Sequence, residues 1–190
     1  EDSWCWLLRF NQGITSVGLM MDQTRSGETP SPVEESSWQE RLALYPSLQR
    51  LLQDATIVDP PGRLVVAGRV QRMCGQAAGA HWAMLPHTAG FIDPLHSTGI
   101  AHTLSGIERL AVILDQLWDS DQRVTALHNY HELLMQELSM IDRLVYGCYR
   151  SLNHFPWFVS YSMLYFVAAI RYEQNRLDPT QESYQSAFLG

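Results

Sequence analysis

The segment 82–100 constrains this chain more than any other. An apolar run, 82–85, ends at Pro86. A winding stretch with Gly90, the pair Asp93-Pro94 and Gly99 follows, and beyond Thr98 the sequence takes up helical periodicity. Pro94 fixes its own φ and pushes Asp93 into an extended conformation. Gly99 has no Cβ, so a flat group or an anion can approach its backbone closely. A loop of this kind running into a helix start presents unpaired N–H groups and roughly half a positive charge without any titratable side chain. The same pattern also serves as plain strand–loop–helix punctuation.

The rest of the chain divides around this bend. Residues 3–10 and 14–21 are two apolar runs around the turn residues Asn11-Gln12-Gly13, the signature of a hairpin. A polar loop over 23–32 leads to two short helices, 34–44 and 47–54, separated by Pro46 and with Ser47 as the cap of the second. Pro60-Pro61-Gly62 breaks the chain again. Residues 63–73 are a strand candidate, 75–79 are small and flexible, and 82–85 form a buried strand. After Thr98, Ile100, Leu104, Ile107, Ala111, Leu114 and Leu117 recur at helical spacing as one apolar stripe. Asp119 is a candidate cap for a second long helix with the stripe Val124, Leu127, Leu134, Leu138, Ile141, Leu144 and Cys148. Asn153 and Pro156 restart a third helix that reaches about Arg176, and Asp178-Pro179 starts a last short one carrying Phe188.

This is an α+β organisation: a small sheet, made of the N-terminal hairpin plus two later strands, followed by a helical C-terminal half. Residues 1–97 are the β-rich part with two short helices, and 98–190 the helical part. The two hairpin strands read as a piece of a larger sheet, so the chain is expected to be the C-terminal portion of a longer protein.

Composition excludes several chemistries. Apolar residues are 46% and charged residues 17%, a globular balance. The net charge of -7, with no basic patch, excludes a nucleic-acid partner. All 13 basic residues are Arg, so no Schiff base or other lysine chemistry can come from these residues. Cys5, Cys74 and Cys148 have no metal spacing and read as reduced thiols of a cytoplasmic protein. The start lacks a signal-peptide pattern, and the apolar run 155–170 is too short to span a membrane. His128, His131 and Glu132 share a helix face, but without a second cluster they read as a solvated face, and no metal site is assigned. Glu108-Arg109 reads as an exposed pair. The aromatic tail of Tyr146, Tyr149, Phe155, Trp157, Phe158, Tyr161, Tyr165 and Phe166 reads as helix core, with a substrate lid or a homodimer contact as alternatives.

Phe91-Ile92-Asp93-Pro94-Leu95 and the following Ser97 and Gly99 resemble the second flavin-binding motif of FAD-dependent monooxygenases and flavin-dependent halogenases of the tryptophan type. Ser3-Trp4-Cys5-Trp6-Leu7-Leu8 is similar to the halogenase signature Gly-Trp-x-Trp-x-Ile-Pro, with Ser3 at the Gly and Arg9 at the Pro. The resemblance implies part of a larger FAD-binding fold whose Gly-rich dinucleotide fingerprint lies outside these residues. It assigns Pro94, Leu95, Thr98, Gly99 and Ile100 to the isoalloxazine, with the Thr98-Gly99 amides also offered to chloride. Asp93 is grouped with them. His87 stands where the family's ribityl-binding Asp stands, and a neutral His can accept from or donate to a hydroxyl. Trp4 and Trp6 are placed on the substrate side; His102, one turn past Thr98, is grouped with them by its position, as a residue that lines the same pocket as His96 or simply packs. His96 stands where tryptophan-specific relatives carry a Glu; general base, substrate hydrogen bond and loop packing all remain open for it.

The implied function is the flavin- and substrate-side portion of an FAD-dependent oxidoreductase: flavin reduction, then O2 activation. The implied partners are a small aromatic or carrier-bound substrate and a flavin reductase. This chain alone is expected to be inactive. The alternative is a non-catalytic helical interaction module with a vestigial flavin motif, which the Pro86-His87 departure favours.

Overall fold

The computed structural model describes residues 3–21, 35–59, 64–177 and 187–189. The loop expected over 23–32, the breaker at Pro60-Pro61-Gly62 and the helix start at Asp178-Pro179 lie outside the described residues. The chain separates into two compact units, Ser3–Arg69 and Val70–Gly190, the second taking in the first two residues as well.

The first unit holds the hairpin. Strands β1 (Ser3–Arg9) and β2 (Thr15–Met21) pair antiparallel, from Ser3 opposite Met21 to Arg9 opposite Thr15. The turn Asn11–Gly13 carries the reversal: Gln12 and Gly13 take φ of 67° and 76°, and Gly13 adopts this region without Cβ strain. Trp6 faces Gly18 across the pair, and a Cβ on Gly18 would fall 2.0 Å from the indole. The indole thus fills the place a side chain would have taken. Trp4 and Trp6 lie on one face with ring centroids 6.1 Å apart, and Trp6 Nε1 donates to Ser16 Oγ at 3.3 Å. Helices α1 (Glu35–Ala43) and α2 (Pro46–Leu52) follow. Pro46 is the first helical residue of α2, so Ser47 lies inside the helix rather than capping it.

The second unit is built on three helices. The expected strand over 63–73 is only β3 (Arg72–Met73), paired with β6 (Gly90–Phe91). Val65 and Val70 are exposed, and β-branched bulk does not make a strand without a ladder partner. The expected buried strand over 82–85 is likewise only β5 (Trp82–Ala83), paired with β4 (Ala78–Gly79). Trp82 and Leu85 are exposed, while Ala77 and Ala78, read as a flexible tract, are buried. A single turn of helix, α3 (Pro86–Ala89), precedes β6.

Helix α4 (Thr98–Val112) starts where the periodicity placed it and continues through a π-helical turn at Ile113–Leu117. Its orientation reverses the expectation. The stripe faces outward, with Ile100 78% and Leu104 53% exposed, and the buried face carries Thr98, His102, Ser105, Gly106 and Arg109. Periodicity finds an apolar face but cannot tell which face has partners. Here Glu137 and Tyr172 supply hydrogen bonds to the polar one. Arg109, read as a surface residue, is 4% exposed.

Helix α5 (Arg123–Arg150) carries most of the core stripe in the expected register: Leu127, Leu134, Leu138 and Ile141 join Ala77, Ala78, Ala89 and Ile92 in the buried core, Cys148 is buried beside Ser162, and Val124 is exposed. Asp119 does not cap it: the N-cap residue is Gln122, with no side-chain capping bond, and Ser120 Oγ accepts the Gln122 N–H at 3.2 Å in the turn before the helix. Helix α6 (Phe155–Leu177) buries Ser162, Tyr165 and Tyr172. Most of the aromatic tail is not core, since Phe155, Trp157 and Tyr146 are 72%, 63% and 64% exposed.

Gly106 fixes the approach of α4 to α3. A Cβ there would lie 2.4 Å from the Pro86 ring, which cannot rotate away. Gly106→Val is expected to cost about 1–3 kcal/mol, as overpacking does, seen as a lower urea midpoint at unchanged m-value.

Candidate functional site

Of the residues assigned to a flavin, His87, Asp93, Pro94, Thr98, Gly99 and Ile100 border one cleft of about 480 Å³, and Leu95 does not. Phe91, Ile92, Leu138 and Ile141 give it apolar walls, and His102 and Thr103 line it further along α4. The cleft exists because the bend is held open by its own hydrogen bonds. Asp93 Oδ1 accepts the Leu95 N–H at 2.8 Å, and Asp93 Oδ2 accepts the Tyr149 hydroxyl at 2.9 Å. The Ser97 N–H donates to the Pro94 carbonyl at 3.0 Å. Ser97 then takes a left-handed φ of 53° and makes no capping bond with its side chain. Helix α4 also has no acidic residue in its first turn. Its N-terminal amides and positive dipole end therefore meet the cleft without an acidic side chain of the helix's own first turn to cap them.

His87 packs over Gly99, where a Cβ would meet the imidazole Nδ1 at 2.8 Å, and tilts against Phe91 at 5.1 Å between ring centroids. Arg72 donates to the His87 carbonyl at 3.0 Å. His96 turns away from the cleft. Its Nε2 lies 3.3 Å from Cys148 Sγ, and its ring stacks on Tyr165 at 4.5 Å with Phe166 edge-on at 5.6 Å. Burial lowers the His96 pKa and raises that of the Cys148 thiol, the latter opposed by the Ser162 hydroxyl. Because the unfolded chain takes up the His96 proton more readily, stability is full above pH 6.5 and is lost as pH falls from there through the folded value. His96→Phe is expected to flatten that slope in urea titrations between pH 7 and pH 5.

His102 and a residue the sequence did not flag, Glu137, meet beneath the cleft. Glu137 is 1% exposed and binds His102 Nε2 at 3.0 Å and Arg109 through both oxygens at 2.9 and 2.6 Å. Burial pushes its pKa up, but the hydrogen bonds from His102 and Arg109 outweigh that and hold it below the usual carboxylate value. The signal for Glu137 was its place in the α5 stripe, between Leu134 and Leu138, where a charge needs a partner.

His131 Nδ1 accepts the Ala77 N–H at 3.1 Å, and the His128 and His131 rings are 6.5 Å apart. Among the described residues no group of three or more His, Cys, Asp or Glu has the geometry to hold a metal ion. No helix of the described residues is long and apolar enough to cross a membrane.

The architecture and the bend define a class: the chain has the fold of the flavin-dependent halogenases, and its sequence resembles theirs. Tetracycline 7-halogenase of Kitasatospora aureofaciens is 31% identical over 163 residues, covering 82% of this chain and 29% of that protein. Monodechloroaminopyrrolnitrin halogenase PrnC of Pseudomonas fluorescens is 29% identical over 177 residues, covering 90% of this chain and 30% of that protein. Halogenase PltM, crystallised with phloroglucinol and FAD, has the same fold at a TM-score of 0.73 and 24% identity over 90% of this chain and 34% of its own. A PltM point mutant in complex with FAD matches at a TM-score of 0.77 and 20% identity, over 100% of this chain and 40% of its own. The chain thus spans less than a third of the curated relatives it matches. No family model matches it.

Proposed function

We propose that this chain is the flavin-ring and substrate side of an FAD-dependent, halogenase-like oxidoreductase. The cleft at the uncapped start of α4 carries the reading. A flavin ring is flat and apolar on its faces, and its N1–C2=O edge gains negative charge on reduction. Phe91, Ile92 and Pro94 suit the faces. The Thr98, Gly99 and Ile100 amides at the helix start suit the edge, because they favour charge there without a side chain that would titrate. The Thr98 and Gly99 amides are also the place for chloride. Asp93 keeps the bend open rather than touching the ring. His87 stands over Gly99 as the polar group nearest the ribityl chain. FAD, when bound, supplies electron transfer and O2 activation.

The remaining residues bind, orient and exclude water. His102 lies on the substrate side of the cleft, and Trp4 and Trp6 are assigned to the substrate in the whole protein. Any lysine-dependent step belongs to residues outside these 190, since none of them is Lys. The substrate is a small aromatic molecule, free or carrier-bound, reduced flavin comes from a reductase, and the protein works in the cytoplasm. An open apolar cleft at a helix N-terminus favours this reading over a non-catalytic interaction module. The full-length protein is expected to bind FAD with a flavin absorption spectrum, and the 190 residues alone to bind it weakly or not at all. Mass spectrometry of the product formed with chloride then separates halogenation from hydroxylation. A colourless full-length protein that ignores added FAD overturns the reading.

A further inference from the structure

The bend before α4 is tied down by a hydroxyl that lies 56 residues further along the chain. Pro94 has no N–H, so the first donor after Asp93 is the Leu95 N–H, and Asp93 Oδ1 accepts it at 2.8 Å. The second oxygen, Oδ2, accepts the Tyr149 hydroxyl at 2.9 Å. Tyr149 stands in the last turn of α5 and packs against the buried core, so a rigid element delivers that hydroxyl. Both carboxylate oxygens are thereby engaged, and hydrogen bonds to an ionised carboxylate are among the stronger ones. Charge gives this arrangement a second consequence. Among the described residues that line the cleft, Asp93 is the only acidic one. A carboxylate free to turn there would compete for the α4 amides and repel negative charge gathering at a bound ring.

We propose that Tyr149 is a positioning residue for the flavin. Its hydroxyl holds the one acidic side chain of the cleft wall to the helical half, so the bend keeps its shape and the α4 amides stay open to the electron-rich edge of the ring. This rests on the flavin reading above. Tyr149 acts through Asp93 and does not itself line the cleft.

The test uses the full-length protein. Tyr149→Phe keeps the packed ring and removes one hydroxyl. FAD is expected to bind about tenfold more weakly, the size of one hydrogen bond to a charged group. The midpoint potential of the bound flavin is expected to fall, because a released carboxylate opposes the charge that reduction adds. Asp93→Asn keeps an acceptor for the Leu95 N–H but carries no charge. The potential is expected to rise in that variant, and adding Tyr149→Phe to it is expected to shift the potential no further. A purely structural role for Tyr149 would give the same shift with and without the Asp93 charge. In flavin-free protein the Leu95 amide is expected to exchange hydrogen about tenfold faster in Tyr149→Phe than in the parent, as one lost local bond allows. An unchanged potential, an equal shift in both backgrounds, or unchanged Leu95 exchange overturns the proposal. Failure of the parent itself to bind FAD overturns the wider reading, whereas a parent that binds FAD and a Tyr149→Phe that matches it overturn this one.

Discussion

Glu137→Ala is expected to lower folding stability by about 3–5 kcal/mol, the range for removing one partner of a buried ion pair. The loss arises from what is left behind. The Arg109 guanidinium, 4% exposed, keeps its charge and loses the carboxylate that it meets through both oxygens, and His102 Nε2 and the Phe188 N–H lose their acceptor. A double replacement, Glu137→Leu with Arg109→Met, removes both charges and is expected to recover much of the loss. The pair also leaves a pH signature. Because the folded carboxylate titrates below 4.5, its contribution is complete above that value and is lost as pH falls through the folded value. Urea midpoints measured from pH 6 to pH 2 should fall more steeply for the parent than for Glu137→Gln. Equal slopes, or a single-mutant loss under about 1 kcal/mol, would show that the cluster is solvated rather than buried.

In the full-length protein, Gly99→Val is expected to weaken FAD binding by about tenfold or more, which is about 1.4 kcal/mol or more of lost contact. An added Cβ meets His87 Nδ1 at 2.8 Å, so the ring must swing away and the branched methyls stand between the cleft and the helix amides. Within 4 Å the added Cβ meets only His87, so the urea midpoint should change far less than FAD affinity does. A titration followed by flavin fluorescence separates the two. Unchanged affinity would mean that the ring does not approach the Gly99 backbone.

The parts of this fold that were legible in the sequence are those set by local chemistry. The Asn-Gln-Gly turn fixed the hairpin, Thr98 marked the start of α4, and the stripe from Leu127 to Cys148 found the core face of α5. What was not legible depends on partners distant in the chain. The strands over 63–73 and 82–85 shrink to residue pairs because no further ladder meets them among the described residues. Helix α4 buries His102 and Arg109 instead of Ile100 and Leu104 because Glu137, on α5, satisfies them. The bend itself was visible through Asp93, Pro94 and Gly99. The rotation of His96 towards Cys148 and Tyr165, and the clamp from Tyr149 to Asp93, required the packing of α5 and α6.

In the proposed function the start of α4 delivers backbone amides to the edge of a flavin. A crystal structure of the full-length protein soaked with FAD tests it most directly. The isoalloxazine N1–C2=O edge is expected at hydrogen-bonding distance, about 2.7–3.2 Å, from backbone nitrogens within Thr98, Gly99 and Ile100. A ring bound elsewhere, or a cleft filled by another part of the same chain, would contradict it.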